Sequence, residues 1–564
     1  MNRTGDSRLL VLLLLLLLAV CCISCGGDDG ISASEVTIAP AAETTAAPEL
    51  EPLVLIRDEA ALFRVVRAEK ASDGEVAAAT SIRQDIKNLT GIIPDIATDW
   101  IGRGESYDST TVEILVGQTG YPESAEVLAS TAYGDYTVAV LGNKLVVAAW
   151  DNQALKVGVD ALLALLHENY ADGFLAVPRI AQTKTADRIL SAIPTLAGGK
   201  VEYIQEAGVP SGEKAMQITL SDVEAEEYAV YRDVLADAGY AVMQENTIGE
   251  NRYLTLSREN RRVTVYHMGL LDQVRIISEP ARPISSEPAA YTAVCDTTLM
   301  QLGLEEGKNL AGAMNAYVVQ LADGRFVLMD TGTEAAAPYL YQYMREHTPA
   351  GEKIRVAAAF ISHPHVDHMD GLKKLADDYR KEIDCEAVYI NYGAFSMQSR
   401  YVESTFQNHW NSMELAAKKL GAELYVLRTG QRIEIANAFF EVLWCPEDFG
   451  NRIIEDYNNA CVVVRMTVGD SKTIFLGDCR DQASPIVVAM YGDALKCDMI
   501  TVAHHGYGGS VFPLYKLASA SVVFWPNTFY DSRTVNEQIL AMDCVEHHYL
   551  AGDGDVVVTI QTKE

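Results

Sequence analysis

The chain has 564 residues, with 77 acidic against 45 basic side chains and a formal charge of −32. No dense basic stripe with interleaved aromatics offsets that charge. This argues against a nucleic-acid-binding protein, whose affinity rests on phosphate contacts, and no transmembrane bundle of the kind a transporter needs is present.

Arg3 and Arg8 precede a leucine-rich apolar run, Leu9–Val20, followed by Cys21-Cys22-Ile-Ser24-Cys25. A basic start, a short apolar core and a small residue before a cysteine describe a bacterial export signal. The core is too short to span a membrane comfortably. Ser24-Cys25 resembles a lipobox, implying cleavage and lipid attachment at Cys25, although Cys22 stands where Leu is usual. Residues 1–25 are expected to be this signal. Residues 26–52, rich in Gly, Ala, Thr, Pro and Asp, read as a polar tether. The expected location is extracytoplasmic, lipid-anchored to the bacterial cell membrane.

Residues 53–190 alternate strands and helices: a strand at 53–56, a helix at 74–90, strands at 112–116, 136–141 and 144–149, and a helix at 154–170. Residues 191–290 read as a smaller α+β segment, with a strand at 215–220, a helix at 225–238, and strands near 253–256 and 262–266. His167 and His267 fall here as ordinary structural residues. No enzyme signature precedes residue 290. Of the 10 cysteines three lie in the signal, and the other seven lack CxxC spacing. They read as buried apolar side chains rather than a disulfide framework.

The chemistry lies in residues 291–564. An apolar strand, Ile354 to Ile361, leads into Ser-His363-Pro-His365-Val-Asp367-His368. Four metal-capable side chains within six residues are far from chance in a chain with only 11 His. Alternation would point His363, His365 and Asp367 to one side, with His368 turned to a second centre. Imidazole and carboxylate ligands suit zinc, one ion or two, with manganese and iron as alternatives. Three further strands end in chemistry-bearing residues: 325–330 in Asp330, 473–478 in Asp478, and 498–506 in His504 and His505. Asp330 could hold an imidazole by its second nitrogen. His547 and His548 read as a surface pair on a strand edge. The stretch 391–411 reads as pocket-wall loop, with a polar helix around His409; its aromatics Tyr392, Phe395, Tyr401 and Trp410 are expected to pack the loop itself.

This motif set resembles the metallo-β-lactamase-fold hydrolases. The wording Asn458-Asn459-Ala-Cys-Val-Val-Val, Phe475-Leu-Gly-Asp478 and Val502-Ala-His-His-Gly506 is similar to the hydrolase domain of the competence protein ComEC and to phosphorylcholine esterases. The resemblance covers residues 292–564. It implies an αββα sandwich with metals at one edge, making the chain an α/β multidomain protein whose hydrolase follows two smaller α/β and α+β domains. It also implies a first metal on His363 and His365, bridged through Asp478 to a second on Asp367, His368 and one of His504/His505. His504 is preferred as the ligand because it directly follows the strand, which leaves His505 to contact the substrate oxyanion. Asp367 could double as proton acceptor. A further histidine common in the family is missing, and Asn458 and Asn459, the latter in the second shell with Asp330, occupy its region. Residues 53–190 resemble the non-catalytic N-terminal domain of α-glucuronidase-like enzymes, which hints at a glycan-rich surface.

No Ser-His-Asp or Cys-His set is apparent, so water is the expected nucleophile. The expected function is metal-dependent hydrolysis of a phosphodiester or phosphoester, on a small molecule or a cell-surface glycopolymer. Hydrolysis of a lactone, carboxylic ester or β-lactam stays open, as does an inactive glycan-binding surface lipoprotein.

Overall fold

The computed structural model describes residues 51–103, 106–210, 213–285 and 290–560. The expected signal and nearly all of the tether lie outside these described residues. Among the described residues no helix is long and apolar enough to cross a membrane.

The first part of the chain builds a six-stranded sheet in which Ile96–Thr98, Phe63–Arg67, Val112–Val116 and Lys144–Ala149 run parallel. The helices Asp73–Thr90 and Asn152–Glu168 bury Ile82, Ile86, Leu155 and Leu162 against Val65, Ile114 and Val147. Ser72 and Glu75 form a capping box at the first helix, which ends on Gly91 in the left-handed conformation.

A second sheet is antiparallel and six-stranded, from Lys200–Ala207 to Gln273–Pro280. The helix Ala225–Asp237 covers one face, with Tyr228, Tyr231 and Leu235 on Ile218, Leu256 and Val263. Three of its strands, Lys200–Ala207, Ala241–Ile248 and Gln273–Pro280, carry polar and charged residues through their length, and alternation alone does not reveal them.

The C-terminal part is two sheets packed face to face. The first holds Phe326–Thr331, Ile354–Ile361 and Ala387–Ile390 side by side; the second holds Val463–Val468, Ser471–Phe475, Met499–Thr501 and Val522–Trp525. Tyr317, Val327, Met329 and Phe360 meet Phe440, Val442, Val464 and Phe524 between them. Helices Ala337–Glu346, Val366–Asp378 and Arg400–Leu420 cover the outer face of the first sheet, through Leu340, Leu372 and Trp410. Helices Ser484–Tyr491, Phe512–Ala518 and Thr534–Leu540 cover the second. The architecture is the αββα sandwich. The stretch expected as loop, 391–411, is helical from Arg400 onward, because Phe406, Trp410 and Met413 recur at helical spacing and are buried. Tyr392 and Trp410 are buried against each other while Phe395 is exposed. His547–Leu550 forms the edge strand of the second sheet. Of the seven described cysteines, all free, five are buried.

The antiparallel middle sheet shares a core with the C-terminal sandwich: Tyr253, Tyr266 and Ile277 pack with Leu443 and Trp444. Beside that core lies a buried ionic network. Arg428 pairs with Glu279 at 2.9 Å and Glu447 at 3.0 Å, Arg262 also reaches Glu279, and Arg275 pairs with Asp448. The Gly208 amide donates to Glu447 and the Tyr266 hydroxyl to Asp448. Breaking a buried network strands its remaining charges. Arg428→Met is therefore expected to cost about 3–5 kcal/mol, read as a lower urea midpoint, while removing an exposed pair such as Lys353–Asp384 changes little.

Candidate metal centre

The motif is split between two kinds of backbone. The strand ends at Ile361 and a helix begins at Val366, with His365 as its N-cap. Strand alternation therefore does not sort these side chains, contrary to the sequence expectation. A turn and the first turn of a helix do so instead. His363 and His365 face one way from the turn, and Asp367 and His368 project from the helix. The helix lies close enough to the strand end Thr331 that a Cβ on Gly371 would sit 1.9 Å from the Thr331 carbonyl oxygen. Thr331 returns the contact, its hydroxyl donating to the His368 carbonyl at 2.9 Å.

From the second sheet, Asp478 follows the strand Ser471–Phe475 through Gly477, whose φ is +51°. His504 and His505 follow Met499–Thr501, a strand shorter than expected, in a tight turn. Both have φ of 52°. Two consecutive non-glycine residues in the left-handed region store strain of the kind found at functional sites.

Two groups of side chains converge, one of His363, His365 and Asp478 and one of Asp367, His368 and His505, with ligand atoms inside each group within 4.8 Å of one another. His363 Nε2 lies 2.9 Å from His365 Nδ1. Asp478 sits between the groups. Its Oδ2 is 3.6 Å from His363 Nε2 and 3.5 Å from His505 Nε2, and its Oδ1 is 3.1 Å from His368 Nε2. His505 Nε2 is also 3.1 Å from Asp367 Oδ2. The Nε2 atoms of His368 and His505 are buried at ion-pair distance from carboxylates, yet in no hydrogen-bond geometry. With Asp367 they lie within 4.8 Å of one another, as ligands around a cation do. Imidazole and carboxylate donors in two such sets fit divalent ions of the zinc, manganese or iron type.

The preference for His504 as ligand is corrected by this geometry. His505 joins the second group, and His504 stands outside both, its Nε2 3.1 Å from Asn458 Nδ2. The left-handed turn rotates the second imidazole inward, which a strand continued to His504 would not do. Asn459, expected in the second shell, instead accepts from the Gln482 amide, so Asn458 is the residue beside the site. Asp330 lies 2.7 Å from His368 Nδ1 and also accepts from the Ser362 amide and hydroxyl. Two contacts are absent from the sequence reading. Asn315 donates to Asp478 Oδ1 at 3.2 Å, and the Ser362 hydroxyl reaches His363 Nδ1 at 3.1 Å. Neither residue carries a local signal; each is identified only by its place beside a strand end. His409 is half-buried on its helix, against the ring of Tyr457, which in turn meets His365.

Electrostatics agree with a cation-seeking site. Burial opposes ionisation of Asp478, but the His368 and His505 charges hold its carboxyl well below the usual range. Burial likewise disfavours the His505 imidazolium, yet Asp478 and Asp367 raise it from 6.5 to about 9. His368 is raised well above its ordinary value against burial, by Asp478 and Asp330. Burial and the neighbouring imidazoles push His363 down. Without metal, protons take the place of cations. His505 is raised in the folded state, so its stabilisation is full below about 6.5 and lost as pH rises through about 9. Chelator-treated protein is accordingly expected to lose thermal stability across that window, read by its Tm, whereas metal-loaded protein is not.

Residues 311–421 match the family model of the metallo-beta-lactamase superfamily. Among solved structures, CmlA, a diiron beta-hydroxylase from Streptomyces venezuelae, is similar at 12% identity and TM-score 0.30 over 49% of this chain and 55% of its own. This chain thus spans about half of CmlA. Zn(2+)-bound PqqB from Methylobacterium extorquens is similar at 11% identity and TM-score 0.29, over 47% of this chain and 100% of its own. A metallo beta lactamase from Hirschia baltica is similar at 13% identity and TM-score 0.24, over 41% and 97%. No curated protein matches the chain. Fold and family model together show that the C-terminal part of this chain is a metallo-β-lactamase domain, of metal-dependent hydrolase type.

Proposed function

We propose that this protein is an exported, lipid-anchored metallohydrolase that cleaves a phosphodiester or phosphoester. The observation that carries the reading is Asp478, buried between two ligand groups that hold five further metal-capable side chains. One or two divalent cations bound there, zinc first, supply Lewis acidity and lower the pKa of water. His363, His365 and Asp478 hold one position, and Asp367, His368 and His505 the other. Asp330 fixes the orientation of His368, and Asn315 that of Asp478.

Asp367 is the most solvent-open of the two carboxylates, its side chain 28% exposed against 2% for Asp478. Burial raises its pKa, but His505 and His368 outweigh that and keep it below the ordinary value. It is thus ionised at neutral pH and suited to accept a proton from the nucleophilic water. His504 stays neutral, since burial lowers its pKa, and it borders the substrate side with Asn458. Arg480, two residues past Asp478, pairs with Asp456 at 2.7 Å and bears electrostatically on His504. Because Asp456 neutralises Arg480, the phosphoester reading rests on the divalent cations the site would hold, which stabilise charge on a phosphoryl group. Anchoring through Cys25 would hold the domain over cell-surface substrates. Radiolabelled palmitate carried by the wild type and lost in Cys25→Ala is the expected result.

Protein reconstituted with zinc or manganese is expected to hydrolyse bis-p-nitrophenyl phosphate. Asp478→Ala and His505→Ala should each lower kcat by about 100-fold or more, and His504→Ala by about 10-fold, in keeping with losses at activating and charge-stabilising groups. Turnover of p-nitrophenyl acetate or a β-lactam with none of the phosphodiester would replace this substrate class. Metal retained without turnover of any ester would leave a binding lipoprotein.

A further inference from the structure

A cleft of about 1070 Å³ lies between the N-terminal parallel sheet, the edge strand Lys200–Ala207 and the hydrolase segment 451–453. None of the metal-centre residues lines it. Its N-terminal wall is made where an open α/β sheet binds ligands, at the carboxyl ends of parallel strands. Residues 68–70 follow the strand Phe63–Arg67, Gln118 follows Val112–Val116, and residues 150–152 follow Lys144–Ala149. The chain leaves Phe63–Arg67 for Ile96–Thr98 on one side and returns to Val112–Val116 on the other, so the cleft stands at the point where the winding reverses.

The chemistry of the walls narrows the ligand. In such crevices the free amides of helix N-termini commonly hold phosphate. Here carboxylates already hold several amides along this wall. Glu75 accepts from the Ser72 and Gln118 amides at 2.8 and 2.7 Å, and Asp151 accepts from the Gln153 and Ala154 amides at 2.9 Å each. Asp99 likewise takes the Gly120 amide at 2.6 Å. An anionic ligand would meet the charge of these three carboxylates. A cationic one meets a lining of seven acidic against three basic side chains, but five of those carboxylates already accept from backbone amides or lysines: Glu75, Asp99, Asp151, Asp187 and Glu202. That leaves only Glu69 and Glu206 to pair with it, beside Lys70 and Arg452. Strand addition by a peptide is opposed by a register shift between Val201 and Tyr203, which breaks the regularity of the edge.

What remains is neutral recognition. The walls offer the amides of Gln118, Asn152, Gln205 and Asn451 and the rings of Tyr203 and Trp150. Side-chain amides both donate and accept, which matches hydroxyl groups, and aromatic faces cover apolar C–H surfaces. The volume is at the upper end for small-molecule sites, enough for several sugar rings. We infer that this cleft is a second binding site, for a neutral oligosaccharide. The inference is independent of the hydrolase assignment.

The test is calorimetric titration of the purified protein with neutral tetrasaccharides derived from cellulose, xylan, starch and chitin, beside spermidine, ATP and an extended tetrapeptide. Saturable binding of at least one saccharide is expected, weakened at least tenfold by Tyr203→Ala and by Val157→Trp. Val157 is a 41% exposed lining residue, so a larger side chain there fills the cleft from the surface. Both variants should keep the wild-type Tm and metal-dependent ester hydrolysis. The inference is overturned if no saccharide binds, if both variants bind it as the wild type does, or if spermidine, ATP or the peptide binds in its place.

Discussion

The C-terminal domain is organised around one desolvated carboxylate. Asp478 is 1% exposed, and an isolated buried anion is costly unless charge and hydrogen bonds surround it. His363, His368 and His505 approach it from three directions, and Asn315 donates to it from a fourth. Those residues come from both sheets. The carboxylate therefore couples the edges of the sandwich, and any cation that enters replaces protons already drawn there by the same field.

That convergence depends on backbone that ordinary helices and strands do not supply. Gly371 lets the helix carrying Asp367 and His368 close onto Thr331. Gly477 passes next to Ser362, where a Cβ would stand 2.8 Å from the serine side chain. His504 and His505 have no such freedom, yet both take left-handed φ. The surrounding structure holds that strain: Asn527 donates to the His505 carbonyl and Asn536 to that of Gly506, each at 2.8 Å.

The middle sheet is joined to this scaffold by ions as well as by apolar packing. Arg275 and Tyr266 hold Asp448, and the Gly208 amide holds Glu447, so this sheet fixes the short turn Pro446–Phe449. From that turn the chain runs through Ile454, bridged to Gln398, to Tyr457–Ala460, which supplies Asn458 beside His504. The rim of the metal centre is thus anchored at one end by a sheet that contributes no ligand. Such a network specifies geometry more than it adds net stability.

The ligand types and the strands that lead into them were legible in the chain because both are local. Three histidines and an aspartate within six residues restrict the chemistry whatever the fold, and a run such as Ile354–Ile361 is apolar enough to be read directly. The polar strands of the middle sheet were not legible, since their pattern follows neighbours in other elements. Nor was the sorting of ligands. Adjacent histidines at 504 and 505 are chemically equal in sequence, and only a left-handed turn places the second inward. Asn315 and Ser362 acquire meaning only where strand ends distant in the chain come together. Sequence by itself determined which chemistry is available. The tertiary structure decided which atoms share it, because direction and separation in space are set by backbone turns and packing rather than by residue identity.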